Sequence, residues 1–113
     1  MAMLDEARSD FLYLLAILYM QQCKHNLALH LLRVLSVQHE KDTRIALALA
    51  TCLYRTGRFK KAQSVLSELD ETTLASEFRT AFFYINSKIL WELEQKDEAR
   101  DQLQKYLKAR GTV

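Results

Sequence analysis

Apolar residues along this chain fall into six stretches separated by short polar breaks. Within a stretch they return every three or four residues, the period of one helix face. The pattern predicts helices at about 8–22, 25–39, 43–55, 59–70, 75–94 and 96–109. The breaks carry matching chemistry. Asp42-Thr43 is placed to cap the third helix, and Asp70 to Thr73 forms a break with a cap for the longer fifth one. Asp97 and Glu98 open the sixth helix and Lys105, Lys108 and Arg110 close it, the order of charge that a helix dipole favours. Gly111 ends it.

The stretches repeat in pairs. Ala16-x-x-Tyr19 is followed by Ala28, Leu31 and Leu32; Ala50-x-x-Leu53 by Gly57, Ala62, Val65 and Leu66; Ser87-x-x-Leu90 by Ala99 and Leu103. The first set maps onto the second by a shift of 34 residues and the second onto the third by 37, so three residues are added between the last two units. Small residues at Ala16, Ala50 and Ser87, and at Ala28, Ala62 and Ala99, let the two helices of a unit approach closely. Gly57 supplies a permissive backbone between helices, where the other units have Cys23 and Glu94. Paired helices at this period resemble the tetratricopeptide (TPR) repeat, although its usual Trp and Pro are absent. The resemblance implies an all-α fold: three TPR-like helix pairs (about 8–39, 43–70 and 75–109) stacked as a short right-handed solenoid with a concave groove. The whole of 1–113 reads as one domain.

Composition agrees and then narrows the function. The 113 residues include no Pro and two Gly, too little turn chemistry for a sheet-rich fold, and half are hydrophobic, too many for a disordered chain. A net charge of +2 and a pI near 8.6 give no field suited to nucleic acid. The apolar run Phe11 to Met20 is ten residues, about half of a membrane span, so no membrane insertion is expected. The N-terminal MAMLDEARSD has acids where a signal peptide is basic, and Cys23 and Cys52 read as reduced thiols. The expected location is cytoplasmic.

Catalysis has little to work with. His25, His30 and His39 are spaced by five and nine residues, which does not stack them as metal ligands, so they read as exposed or capping side chains. There is no Gly-rich phosphate loop, and no metal or cofactor is expected. Arg55, Arg58, Lys60 and Lys61 form a basic strip at the middle turn, read as a solvated surface or a contact for an acidic partner.

The TPR resemblance implies a further feature, since four positions of each first helix line the concave surface. They fall on Asp10, Tyr13, Ile17 and Met20; on Arg44, Leu47, Thr51 and Tyr54; and on Ala81, Tyr84, Lys88 and Trp91. The lining is rich in the Tyr, Trp and Met that fill interface cores, and suits an amphipathic helix of a partner. Covering about 500 Å² of it yields on the order of 12 kcal/mol gross, most of which association costs offset. The carboxylate clamp that some TPR proteins use on acidic tails fits poorly, because only Lys88 among Tyr13, Ile17, Thr51, Tyr84 and Lys88 has the required character.

Asp10-Phe11-Leu12, Gln22-Cys23, His25 with His30-Leu31-Leu32, Asp97-Glu98-Ala99-Arg100 and Tyr106-Leu107 resemble small TPR chaperones of bacterial type III secretion, of the YscY-like branch. That resemblance implies a bacterial cytoplasmic chaperone holding a small export component of the YscX type one-to-one. The sister branch, needle-subunit chaperones (YscG-like), and a general TPR scaffold are the alternatives. Self-association through the groove is expected when the partner is absent.

Overall fold

The computed structural model describes residues 2–111, with side chains described from Glu6 onward. Its elements are α1 (Ala2–Gln21), α2 (His25–Gln38), α3 (Thr43–Arg55), α4 (Phe59–Ser67), α5 (Ser76–Glu92) and α6 (Lys96–Arg110). Among the described residues there is no strand. Helices pack as pairs, α1 with α2, α3 with α4 and α5 with α6, and the pairs stack through α2 on α3, α4 on α5 and α3 on α5. The result is an elongated stack, 46 by 27 by 23 Å.

The repeat register is visible in the turns. Cys23, Gly57 and Glu94 have φ of 59°, 81° and 65°, all in the left-handed region. Around each, the same two backbone bonds close the first helix: Cys23, Gly57 and Glu94 donate to Met20, Tyr54 and Trp91, and Lys24, Arg58 and Gln95 donate to Tyr19, Leu53 and Leu90. This doubly bonded stop satisfies carbonyls that a helix end leaves orphaned. Only Gly57 adopts it without steric cost; a side chain there costs roughly 1–2 kcal/mol.

Small residues do their expected work between paired helices. Ala16, Ala28, Ala50 and Ala62 are fully buried, Ala99 and Ser87 nearly so, and Ser87 Oγ donates to the Tyr84 carbonyl at 2.7 Å. Leu32, Leu35, Leu66, Ile89 and Cys52 fill the core between them. Burial pushes the Cys52 thiol up to about 11.

Several expectations need correction. α1 begins at Ala2 instead of 8, because nothing in AMLDEA breaks a helix. α4 stops at Ser67, short of 70. Asp70 does not cap α5: its carboxylate accepts from Thr72 N (3.0 Å) and Thr72 Oγ1 (2.6 Å), making a turn instead. α5 starts after Ala75, which offers no side-chain cap. The histidines also differ from expectation. His30 is exposed, but His25 is half-buried with Nδ1 unpartnered, and His39 Nε2 pairs with Ser9 Oγ at 2.9 Å. The cap of α3 holds as expected, Asp42 accepting from Arg44 N at 3.0 Å, and Gly111 (φ 77°) ends α6.

Candidate functional site

The third helix pair builds the site. The left-handed stops at residues 57 and 94 fix how α3 and α5 end, and this brings Tyr54 and Trp91, three residues before each stop, to the same edge of the stack. Tyr54, Tyr84, Lys88 and Trp91 line one hollow of about 320 Å³, closed on the far side by Ala99, Arg100 and Leu103 of α6. Its large side chains stand open to solvent: Trp91 is 48% exposed, Leu103 44% and Tyr84 41%.

Neighbours orient these rings. Tyr54 stacks at a tilt on Phe59 with centroids 5.6 Å apart, and Tyr84 on Tyr106 at 5.1 Å. The Lys88 ammonium lies 4.8 Å from the Tyr84 ring centroid, and the Lys96 ammonium 5.1 Å from that of Trp91. A side-chain hydrogen bond with Tyr84 raises the Lys88 pKa above its ordinary value, outweighing a small burial effect, so this rim charge is firmly positive.

The other groove positions do not join this hollow. Leu47 is buried, and Thr51 turns its hydroxyl back to the Leu47 carbonyl at 2.8 Å. Tyr13, Ile17 and Met20 are half-buried and pack against the core. The Arg44 guanidinium covers the Tyr13 ring at 4.3 Å and reaches Asp10 at 3.5 Å. Burial raises the Tyr13 pKa, with Arg44 opposing. Arg55, Arg58, Lys60 and Lys61 are all exposed.

Sequence reasoning missed Glu92, Arg100 and Leu103 as lining residues. The repeat shift carries the signal for Leu103. Its equivalents Leu32 and Leu66 are 0% and 2% exposed, each beneath the helix pair that follows, whereas no described helix follows α6. The hollow is therefore the place where the next first helix of the stack would lie.

Among the described residues no group of His, Cys, Asp and Glu is arranged to hold a metal ion, and no helix is long and apolar enough to cross a membrane. Cys23 is exposed, Cys52 is buried, and both are free. Residues 33–106, about two thirds of the chain, match the family model described as anaphase-promoting complex, cyclosome, subunit 3, a TPR-like repeat. Comparison with curated proteins and with solved structures gave no match.

Proposed function

The chain belongs to the family described as anaphase-promoting complex, cyclosome, subunit 3, and from that premise we propose that it is a protein-interaction module whose hollow takes an amphipathic helix of a partner. One observation carries the reading: exposed Tyr84 and Leu103 of this lining hold the repeat positions of Leu47 and Leu66, which are buried in unit two, where a further helix pair follows. A partner helix set there would cover Leu103 as Leu66 is covered in unit two, and Trp91 beside it, with Lys88 and Arg100 at the rim to meet acidic residues. The family's name is that of a subunit of a larger complex, in keeping with a module that works by contact.

The finer assignment is a bacterial cytoplasmic chaperone of type III secretion, keeping a YscX-type export component soluble by covering its apolar helix. What supports it is the likeness of the Asp10-Phe11-Leu12, Gln22-Cys23 and Asp97-Glu98-Ala99-Arg100 segments, together with a site suited to one helix. A needle-subunit helix is the other occupant of the same chemistry.

Co-expression with a YscX-type component or with a needle subunit tests this. One of them is expected to form a one-to-one complex, and Trp91→Ala to weaken it by roughly ten- to a hundredfold while the free protein stays helical. A complex that Trp91→Ala leaves intact overturns the site. Lys88→Glu abolishing binding with Trp91→Ala neutral would point to an acidic tail instead. If neither protein binds, the secretion assignment fails.

A further inference from the structure

The net charge of +2 hides an uneven distribution. Residues 11–67 carry eight Lys and Arg against two acids, and the rest of the chain eight against twelve. Both of those acids, Glu40 and Asp42, lie at the link between α2 and α3, the opposite edge of the stack from the left-handed turns. The turn between α3 and α4 therefore carries Arg55, Arg58, Lys60 and Lys61, all exposed, with no acid on either helix.

The fold does not answer this charge. Among the described residues, ion pairs hold Arg44, Lys96, Arg100 and Lys105, but none of the four strip cations and not Lys88. Arg58 donates to the Thr56 hydroxyl, at 3.2 Å. Helix energetics do not account for it either. Lys60 and Lys61 stand in the first turn of α4, where a helix dipole disfavours cations, and the equivalent residues of α6 are Asp97 and Glu98.

The strip runs on from the hollow. Tyr54, which lines the hollow, stacks on Phe59; Arg55 follows the first ring, and Arg58 and Lys60 flank the second. Arg55 is close enough to Lys88 for its charge to act on that ammonium. On the α6 side, in contrast, Arg100 is paired with Asp97 at 3.6 Å and Lys96 with Glu94 at 3.8 Å. The unanswered positive charge around the hollow thus lies towards the α3–α4 turn.

We propose that the strip receives an acidic segment contiguous with the helix held in the hollow. The partner is then an apolar helix with a block of Asp or Glu at the end directed to the α3–α4 turn, an inference that rests on the hollow as a helix site. An acidic segment fits better than nucleic acid, because the two rings beside the strip face each other instead of standing open as platforms for bases. Its attraction speeds encounter and sets which way round the helix lies.

Fluorescence anisotropy on the full chain tests this with three labelled synthetic probes: an amphipathic helix, a run of about six glutamates, and the two joined. At about 50 mM salt the glutamate run is expected to bind weakly, and joining it to the helix to tighten binding roughly tenfold, a gain lost near about 500 mM as screening grows. Lys60→Glu/Lys61→Glu should erase the gain and fold at least as well as the parent, since acids suit that helix end. Lys41→Glu/Lys108→Glu, the same charge change away from the strip, should leave most of it. A helix probe whose Trp91-dependent binding gains nothing from the glutamates would overturn the strip and leave the hollow standing. A glutamate run held through Lys60 and Lys61, to which the helix adds nothing, would overturn the hollow and with it the continuous site. Equal losses in the two double variants, no binding of either glutamate-bearing probe, or tighter binding of poly(U) or of phosphatidylcholine vesicles with about a quarter phosphatidylserine would each overturn the proposal.

Discussion

Units one and three are built on the same repeat yet expose opposite halves of it. In unit three the first helix is buried on the side facing back, through Phe82, Ile85 and Ile89, and the unit opens forward at Trp91 of α5 and Leu103 of α6. In unit one the forward side is covered, Ala28 and Leu32 being fully buried, while Phe11, Leu14 and Leu18 face back into solvent. The difference teaches that position in the repeat fixes which way a side chain faces, and the neighbouring unit alone decides whether it is buried. The described stack therefore shows an apolar surface at each end. This chain softens one with charged α6 residues around a compact hollow and leaves the other broad and uniformly apolar.

The comparison is broken most directly by truncating the same repeat position at both ends. Ile89→Ala is expected to lower stability by about 2–5 kcal/mol, the cost of emptying a fully buried site. Leu18→Ala, its equivalent in unit one, should stay within about 0.5 kcal/mol in urea titrations at low micromolar concentration. Equal losses would show that α1 is held by contacts as extensive as those of α5.

The two thiols contrast a unit edge with the core. Cys23 sits exposed on its turn, while burial holds the Cys52 thiol near 11 against an ordinary value of 9.0. At pH 8 a disulfide reagent should label Cys23 at least about a hundredfold faster than Cys52, whose reaction waits on opening of the fold. Similar rates would mean that α3 is loosely packed.

A smaller effect separates the three turns. Glu94→Gly is expected to stabilise by about 1 kcal/mol and Gly57→Ala to destabilise by about 1–2, because a side chain at positive φ is strained at both sites. Thermal melts of the two variants moving in the same direction would contradict a shared turn geometry.

The smallest effect is at the link where three residues are added. Hydrogen bonds from Thr72, first from its side chain and then from its backbone, hold the Asp70 pKa below the ordinary carboxylate range. A depressed folded pKa adds stability that is present above the unfolded value and is lost as pH falls through the folded one. Thr72→Val should raise the Asp70 pKa, read by NMR titration, and narrow that acid window. An unchanged pKa would place the cause elsewhere.

Much of the fold was legible because the repeat prints itself as spacing. Ala16, Ala50 and Ser87 mark the close approaches, and the shifts of 34 and 37 align turns that carry identical bonding around Cys23, Gly57 and Glu94. Helix ends were less legible where side chains had a choice of partner, as Asp70 shows by closing its own turn. The groove residues of the first two units were harder still. A helical period tells which face Leu47, Ile17 or Tyr13 lies on, but it does not tell how far a neighbouring helix covers them. The end face of unit one is legible by alignment: Leu27 and Val34 stand where Lys61 and Glu68 do. An apolar residue where its equivalents are charged is a signal that the helical period by itself does not carry.

Trp91 is the chain's single tryptophan and stands half-exposed in the hollow, so its emission reports directly on the central claim. Titration with a synthetic amphipathic helix from a YscX-type component or a needle subunit should shift that emission to shorter wavelength in step with binding, as the ring passes from water into an apolar contact. A complex that forms with the Trp91 emission unchanged would contradict the hollow as the place where a partner is held.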